Sequence, residues 1–341
     1  MTDQMQCITL AQRPVGAPKD EDFKLETRAV PTPGDGEVLV RVHYMSLDPY
    51  MRGRMNDAKS YADPVPIGGI MEGGGAGEVL ASNDPNFAPG DMVFGMFGWS
   101  THGVQPGNML RKLDPRVPIT TSLGVLGMPG FTGWYGLTEL GKPKAGETLV
   151  VAAATGPVGQ MVGQIAKARG LRTVAIAGGA DKCKLATEKF GFDAAVDHRA
   201  YDDASSLRKA LATECPDGID IYFENVGGKV FEAVLPLMNR FGRIPVCGMI
   251  SGYNATGLPD GPDRFPLFWS TVLVKHLTAS GFIISNHFDL FPAFLNEVVP
   301  MLADGRVAYL EDIAEGLENA PRTFMGLLEG KNVGKQIVKL I

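Results

Sequence analysis

The sequence predicts an α/β chain in two parts: a β-rich barrel domain, then a parallel, doubly wound sheet of six strands. Two observations carry this. In the first third, short runs of Val, Leu and Tyr alternate with Gly and Pro turns, as in a domain of many short strands. After about residue 125, short apolar runs alternate with stretches of helical periodicity, as in a parallel sheet with crossover helices. A length of 341 residues allows two ordinary cores.

The elements follow in order. Residues 37–44, Glu-Val-Leu-Val-Arg-Val-His-Tyr, read as a strand, and short apolar stretches follow at 78–81 and 92–97. Gly68-Gly69, Gly73-Gly74-Gly75 and Pro89-Gly90-Asp91 separate them, which suggests a small rolled barrel. Residues 147–153 form a short apolar run of the kind that makes a buried parallel strand. Val158, Met161, Val162, Ile165 and Ala166 then recur at helical spacing, and Gly170 is expected to close that helix. Further strands are expected at 172–177, 194–197, 219–223, 243–247 and 277–284, with helices at 230–238 and 288–302. The tail, 334–340, reads as one more strand that returns to the first domain.

Composition excludes several functions. With 32 basic and 38 acidic residues the formal charge is −6, which argues against a nucleic-acid binder. Cys7, Cys183, Cys215 and Cys247 form no C-x-x-C pair, so a reduced compartment is expected in place of a disulfide scaffold. The N-terminus shows neither a basic nor an apolar signal region, and no uncharged apolar run approaches membrane-spanning length. The expectation is a cytoplasmic protein without membrane partners.

The motif with the clearest chemistry is Ala153-Ala154-Thr155-Gly156-Pro157-Val158-Gly159, set between a strand and a helix. Backbone N–H groups at a helix start, aided by the helix dipole, hold a pyrophosphate. Gly156 allows close approach of the backbone and Gly159 allows close helix–strand packing. NAD binders place an acid at the end of the second strand, to hold the ribose 2′-hydroxyl. Here that strand ends Ala175-Ile176-Ala177-Gly178-Gly179, and Asp181 comes later, where it is expected to cap the next helix. The missing acid points to NADP(H). Lys182 is then either a partner for the 2′-phosphate or an ordinary solvated helix lysine.

Taken together, these segments resemble the medium-chain dehydrogenase/reductases, and within them the zinc-independent branch of prostaglandin- and leukotriene-type reductases, plant alkenal double-bond reductases and bacterial curcumin-type reductases. The resemblance rests on Ser46-Leu47-Asp48-Pro49-Tyr50-Met51-Arg52, Gly127-Met128-Pro129-Gly130-Phe131-Thr132-Gly133, the 153–159 loop with Gly163-Gln164-Ile165-Ala166-Lys167, and Glu224-Asn225-Val226-Gly227-Gly228. Cys247-Gly248-Met249-Ile250-Ser251-Gly252-Tyr253-Asn254, Phe324-Met325-Gly326 and Asn332-Val333-Gly334-Lys335 extend it over nearly the whole chain. It implies a GroES-like domain, 1–126 completed by 300–341, that binds substrate, and a Rossmann NADP(H)-binding domain, 127–299.

The resemblance further implies that Thr132 and Asn332 border the nicotinamide and that Lys182 meets the 2′-phosphate. Gly179 and Asn225 would hold the adenosine and ribose portions. Cys247, Gly248 and Ile250 would present backbone to the cofactor, and Phe282 would lie near the nicotinamide amide. The family often carries Tyr in an Asn-Tyr pair where this chain has Asp197-His198, so His198 stands in the tyrosine's place and the phosphate contact is left open.

Zinc is not expected. Catalytic zinc needs converging Cys and His ligands. Gly68-Gly69-Ile70-Met71-Glu72-Gly73 contains no His, Asp48 stands where a first Cys ligand would be, and His43, His102, His198, His276 and His287 form no H-x-x-H pattern. Without a Lewis acid, hydride addition to the β-carbon of an enal or enone is the easier reduction, because the carbonyl oxygen takes the charge and needs only a hydrogen-bond donor. Tyr253 is the first candidate for that donor, in a loop beyond a strand's C-terminal end, and also a cofactor neighbour. Tyr50 is the second. The plainer reading of each is a packed aromatic with a wet hydroxyl. Met45, Met51, Met55 and Met71 are either an adaptable pocket or core filler. Residues 265–269 are expected to form a pocket loop. The alternatives are a quinone reductase and a non-catalytic NADPH binder. The strand 277–284 is expected at the sheet edge, pairing with its copy in a homodimer.

Overall fold

The computed structural model describes residues 4–259 and 261–341. The chain divides into two units, Met1–Gly127 with Glu311–Ile341, and Met128–Leu310.

The first unit is β-rich. Strands β1 (Gln4–Leu10) and β2 (Phe23–Ala29) form an antiparallel pair. Strands β3 (Glu37–Ser46), β4 (Gly75–Ser82), β5 (Met92–Gly95), β6 (His102–Pro106) and β7 (Arg111–Lys112) form most of a second sheet. The long β3 pairs with β6 through Glu37–Arg41 and with the C-terminal strand through Tyr44–Ser46. Its ladder with β4 shifts register twice, and such irregularities bend a sheet on itself. The core stacks Phe23 on Trp99 at 5.6 Å, with Phe324 edge-on to Trp99 at 5.4 Å. Met45, Met51, Met55 and Met71 are fully buried in this same cluster, so they are core residues.

The second unit is a parallel sheet. Strands β8 (Thr148–Ala152), β9 (Arg172–Ala177), β10 (Ala194–Asp197), β11 (Ile219–Phe223), β12 (Met238–Val246) and β13 (Thr278–Gly281) lie in the order β10-β9-β8-β11-β12-β13. All five β8 residues are buried, as the continuous apolar run requires. The order reverses between β8 and β11, and in such sheets ligands bind beyond the strand ends at that point. The Pro157–Ala168 helix ends with Gly170 N–H on Lys167 O and Leu171 N–H on Ala166 O, the pairing that a glycine after a helix permits.

Several expected boundaries move. The helix at 230–238 is Gly228–Val234, tightened into a 3-10 turn at Leu235–Leu237 where Pro236 cannot donate. The helix expected at 288–302 runs Phe291–Ala303 and is preceded by 3-10 turns from Ile284, which shorten the expected last strand to Thr278–Gly281. Residues 265–269 open a helix, Phe265–Lys275, where a loop was expected. Asp181 does not cap; Gly179 does, and Asp181 falls inside the first turn. Residues 300–310 pack with the second unit, because Gln164 exchanges two hydrogen bonds with Ala308 (2.8 and 2.7 Å) and Gln160 accepts from Leu310 N–H. The tail strand, β15 (Lys335–Lys339), lies between β14 (Glu311–Glu315) and β3 in the first unit.

Candidate functional site

In the second unit, three loops meet beyond the ends of β8, β11 and β12. The first follows β8. Ala153 takes a left-handed conformation, φ 51°, and its carbonyl accepts Gly156 N–H. Gly156 then caps the helix, with Pro157 in its first turn. Val158 and Gly159 therefore offer first-turn N–H groups with no partner inside the helix. A β-carbon on Gly159 would stand 2.5 Å from Ala153 O, so a side chain there would force helix and loop apart.

The second loop is organised by Glu224, which is 3% exposed. Its Oε1 accepts from the Tyr222 hydroxyl (3.0 Å), Val226 N–H (2.6 Å) and Gly227 N–H (2.8 Å). Burial pushes this carboxyl above its ordinary range against those donors. Asn225 Nδ2 donates to Ala152 O at 2.7 Å and ties this loop to the end of β8. The third loop is pinned to the second through its backbone. Cys247 and Gly248 donate to Glu224 O, Ile250 to Asn225 O and Ser251 to Val226 O. The Cys247 thiol is pushed up to about 12, by burial and then by the Glu224 charge, so it stays protonated and unreactive. Tyr253 follows a short turn at Ile250–Gly252, and its hydroxyl folds back to lie 2.9 Å from where a Gly248 β-carbon would be.

A fourth group lies at the end of β9. Gly179 N–H and Arg199 N–H share one oxygen of Asp197, at 2.8 and 2.9 Å. A β-carbon on Gly178 would meet Arg199 Nε at 2.8 Å and His198 Nε2 at 3.1 Å, so both side chains lie against this glycine. Burial lowers the His198 pKa, and Lys229, Arg199 and Lys182 lower it further. This corner of the sheet is therefore electropositive. Thr132 spends its hydroxyl on Met128 O, 2.7 Å away. The Phe282 ring packs on Tyr135 at 5.3 Å and beside Gly136.

Two family descriptions match: "N-terminal domain of oxidoreductase" over residues 6–113 and "Zinc-binding dehydrogenase" over residues 157–300. The chain is 55% identical to the NADPH-dependent curcumin reductase of Escherichia coli K12, covering 97% of this chain and 95% of that one. It is 42% identical to the 2-alkenal reductase (NADP(+)-dependent) of Nicotiana tabacum, covering 97% and 96%. The crystal structure of CurA in complex with NADPH from Vibrio vulnificus superposes with a TM-score of 0.94 at 50% identity, over 98% of this chain and 99% of that one. The chain belongs to the zinc-independent medium-chain dehydrogenase/reductases.

In this reductase, the residues assigned from sequence fall into separate groups. Gly156, Val158, Gly159, Asn225, Cys247, Gly248, Ile250 and Tyr253 come together on the three pinned loops. Gly179, Lys182 and His198 sit at the electropositive corner, and Thr132 and Phe282 lie on neighbouring elements of the same unit. Tyr50 and Asn332 belong to the first unit. Tyr50 begins the Met51–Arg54 turn, and its ring is 5.7 Å from the Arg54 guanidinium. Burial, with Asp48 and Glu72, pushes its hydroxyl well above the usual range, so it remains a proton donor. Asn332 Nδ2 bonds Gly334 O at 2.8 Å. Asp48 is held by Ser46 Oγ and by the buried Lys335 Nζ, 2.7 Å away. Among the described residues no three His, Cys, Asp or Glu side chains gather into a metal-holding group.

Sequence reasoning assigned no role to Glu224, Arg199 or Lys335. For Glu224 a signal was present: an acid directly after a strand and before Asn-Val-Gly-Gly, where two N–H groups need an acceptor.

Proposed function

We propose that the protein reduces the carbon–carbon double bond of α,β-unsaturated aldehydes and ketones with NADPH. The observation that carries this is its likeness, over nearly its full length, to the NADPH-dependent curcumin reductase. The residues fit that cofactor. The Gly156–Gly159 cradle has no room for a β-carbon at 159 and offers helix N–H groups to a pyrophosphate. The β9 strand itself ends in Gly178-Gly179 with no acid, and the Asp197 carboxylate beside them is taken up by Gly179 N–H and Arg199 N–H. When bound, NADPH supplies a hydride.

In this reading the Met128–Leu310 unit binds NADP(H). Gly156, Val158 and Gly159 face the pyrophosphate, Gly179, Lys182 and His198 the 2′-phosphoribose end, and Asn225, Cys247, Gly248, Ile250, Phe282 and Thr132 the remainder. Asn332, from the first unit, borders the nicotinamide with Thr132, and the first unit takes the substrate. Tyr253 donates its hydroxyl to the carbonyl oxygen as charge moves there from the β-carbon, and Tyr50 is a second donor. The enolate then takes a proton at the α-carbon, giving the saturated carbonyl. The protein is further read as a homodimer through β13. That strand ends its sheet, and the Phe265–Lys275 helix has no buried residue and leaves Leu273 76% exposed.

The test is oxidation of NADPH by a trans-2-alkenal, with NADH as control and the product identified by mass spectrometry. A saturated aldehyde with NADPH preference is expected. An allylic alcohol would mean hydride reaches the carbonyl carbon, and no turnover despite tight NADPH binding would favour a quinone acceptor or a non-catalytic role.

A further inference from the structure

Where the second strand of a dinucleotide fold usually ends in an acid or a lone basic residue, this chain packs two side chains from the neighbouring strand end. His198 Nε2 and Arg199 Nε both lie within 3.1 Å of the space that a β-carbon on Gly178 would take. Glycine at 178 is what admits them. The turn that carries them is rigid, because Asp197 caps it through Arg199 N–H and the same oxygen holds Gly179 N–H. From the other side, Lys229 Nζ clamps its carbonyls, donating to His198 O at 3.0 Å and Tyr201 O at 2.5 Å.

We propose that His198 and Arg199 together read the 2′-phosphate of NADPH, and that His198 takes up a proton as the phosphate binds. The preference for NADPH over NADH then strengthens as pH falls from 8 toward 6. This rests on the NADPH reading above and adds to it a discriminating residue, Arg199, and a linked proton.

The charges decide the direction. The groups facing His198 are Lys229 on the Gly228–Val234 helix, Lys182 on the Ala180–Glu188 helix, and Arg199 and Asp197 on its own turn. Cys183, also on the Ala180–Glu188 helix, is kept protonated by burial and contributes no charge. Three cations against one acid, together with burial, favour the neutral imidazole before the cofactor binds. A phosphate dianion among the same groups reverses that balance and favours imidazolium, which donates from both ring nitrogens. A proton bound more tightly in the complex than in the free protein makes affinity rise as pH falls between the two His198 pKa values. The limit is about tenfold per pH unit for one proton. A tyrosine in this place would stay neutral across the range and give no such dependence. Arg199 remains charged throughout and supplies planar donors suited to phosphate.

Titration calorimetry of NADPH and NADH, at pH 6 to 8 and in two buffers of different ionisation enthalpy, tests this on the wild type, His198→Gln and Arg199→Met. The phosphate itself titrates near pH 6 and does so for every variant, so the difference between wild type and His198→Gln isolates the imidazole. The wild type is expected to take up an added fraction of a proton with NADPH and none with NADH, and His198→Gln to lose that fraction. Arg199→Met is expected to weaken NADPH about tenfold to a hundredfold and to leave NADH within about twofold. Equal proton uptake by wild type and His198→Gln, with NADPH still bound tightly, would overturn the proton linkage. Equal weakening of both cofactors by Arg199→Met would overturn its role as the discriminating residue. Wild-type protein that binds NADH as tightly as NADPH at every pH would overturn the NADPH reading itself, and this inference with it.

Discussion

Tyr253 lays its hydroxyl over Gly248, so that a β-carbon at 248 would sit 2.9 Å from the phenol oxygen. Backbone bonds hold the two residues in this relation: Gly248 N–H is fixed on Glu224 O of the neighbouring loop, and Tyr253 N–H on Ile250 O of its own. Gly248→Ala therefore displaces the hydroxyl without removing it. It is expected to lower kcat for an enone about tenfold to a hundredfold and to leave NADPH affinity within about threefold. Tyr253→Phe, which removes the donor outright, is expected to lose about a hundredfold in kcat. Steady-state kinetics beside cofactor binding distinguishes these from a folding defect. Unchanged kcat in Tyr253→Phe would return the tyrosine to a packing role.

The ion pair of Lys335 with Asp48 makes a second prediction. Lys335 is 1% exposed, and Asp48 5%. Removing one partner leaves the other charge buried, which costs about 3–5 kcal/mol. Lys335→Met is expected to show that loss in urea unfolding. Adding Asp48→Asn, which can still meet Ser46, is expected to recover a large part of it. A double variant no better than the single one would show that the lysine acts through packing alone.

Glu224 gives the stability a pH signature. Burial raises its folded pKa above the ordinary 4.5. The contribution is then fully present below 4.5 and is lost as pH rises through the raised value. Unfolding measured from pH 4.5 upward should show this fall in the wild type, and Glu224→Gln, which cannot ionise, should lack it. Parallel pH profiles for the two proteins would contradict the assignment.

The exposed face of the Phe265–Lys275 helix bears on assembly. Leu267, Leu273 and Val274, which share one side of the helix, are 58%, 76% and 66% exposed. If that face meets a second copy beside β13, Leu273→Glu halves the mass seen by light scattering while leaving the melting of the isolated chain nearly unchanged. A wild-type protein already monomeric at micromolar concentration would remove the dimer from the account.

The central strands were legible in the sequence because their signal is local. Leu149–Ala152 are a continuous apolar run, fully buried in β8, and a run of that kind is buried wherever the chain puts it. The Gly156–Gly159 loop was legible for the same reason, since its geometry is set by a strand end and a helix start that adjoin in sequence. Boundaries moved where a proline or a tertiary partner decided the last turn, as at Pro236 and at Ala308.

By itself, then, the sequence determined the alternation of strands and helices, the phosphate-type loop and the lack of an acid after β9. Each depends on residues within a few positions of one another. Only the tertiary structure decided which charges are neutralised and which side chains share a space. Lys335 and Asp48 are 287 residues apart, and nothing local marks either as half of a buried pair. His198 and Arg199 come to lie on Gly178 because β10 pairs with β9. Burial and electrostatics are properties of what surrounds a group, and those surroundings exist only once distant segments have packed.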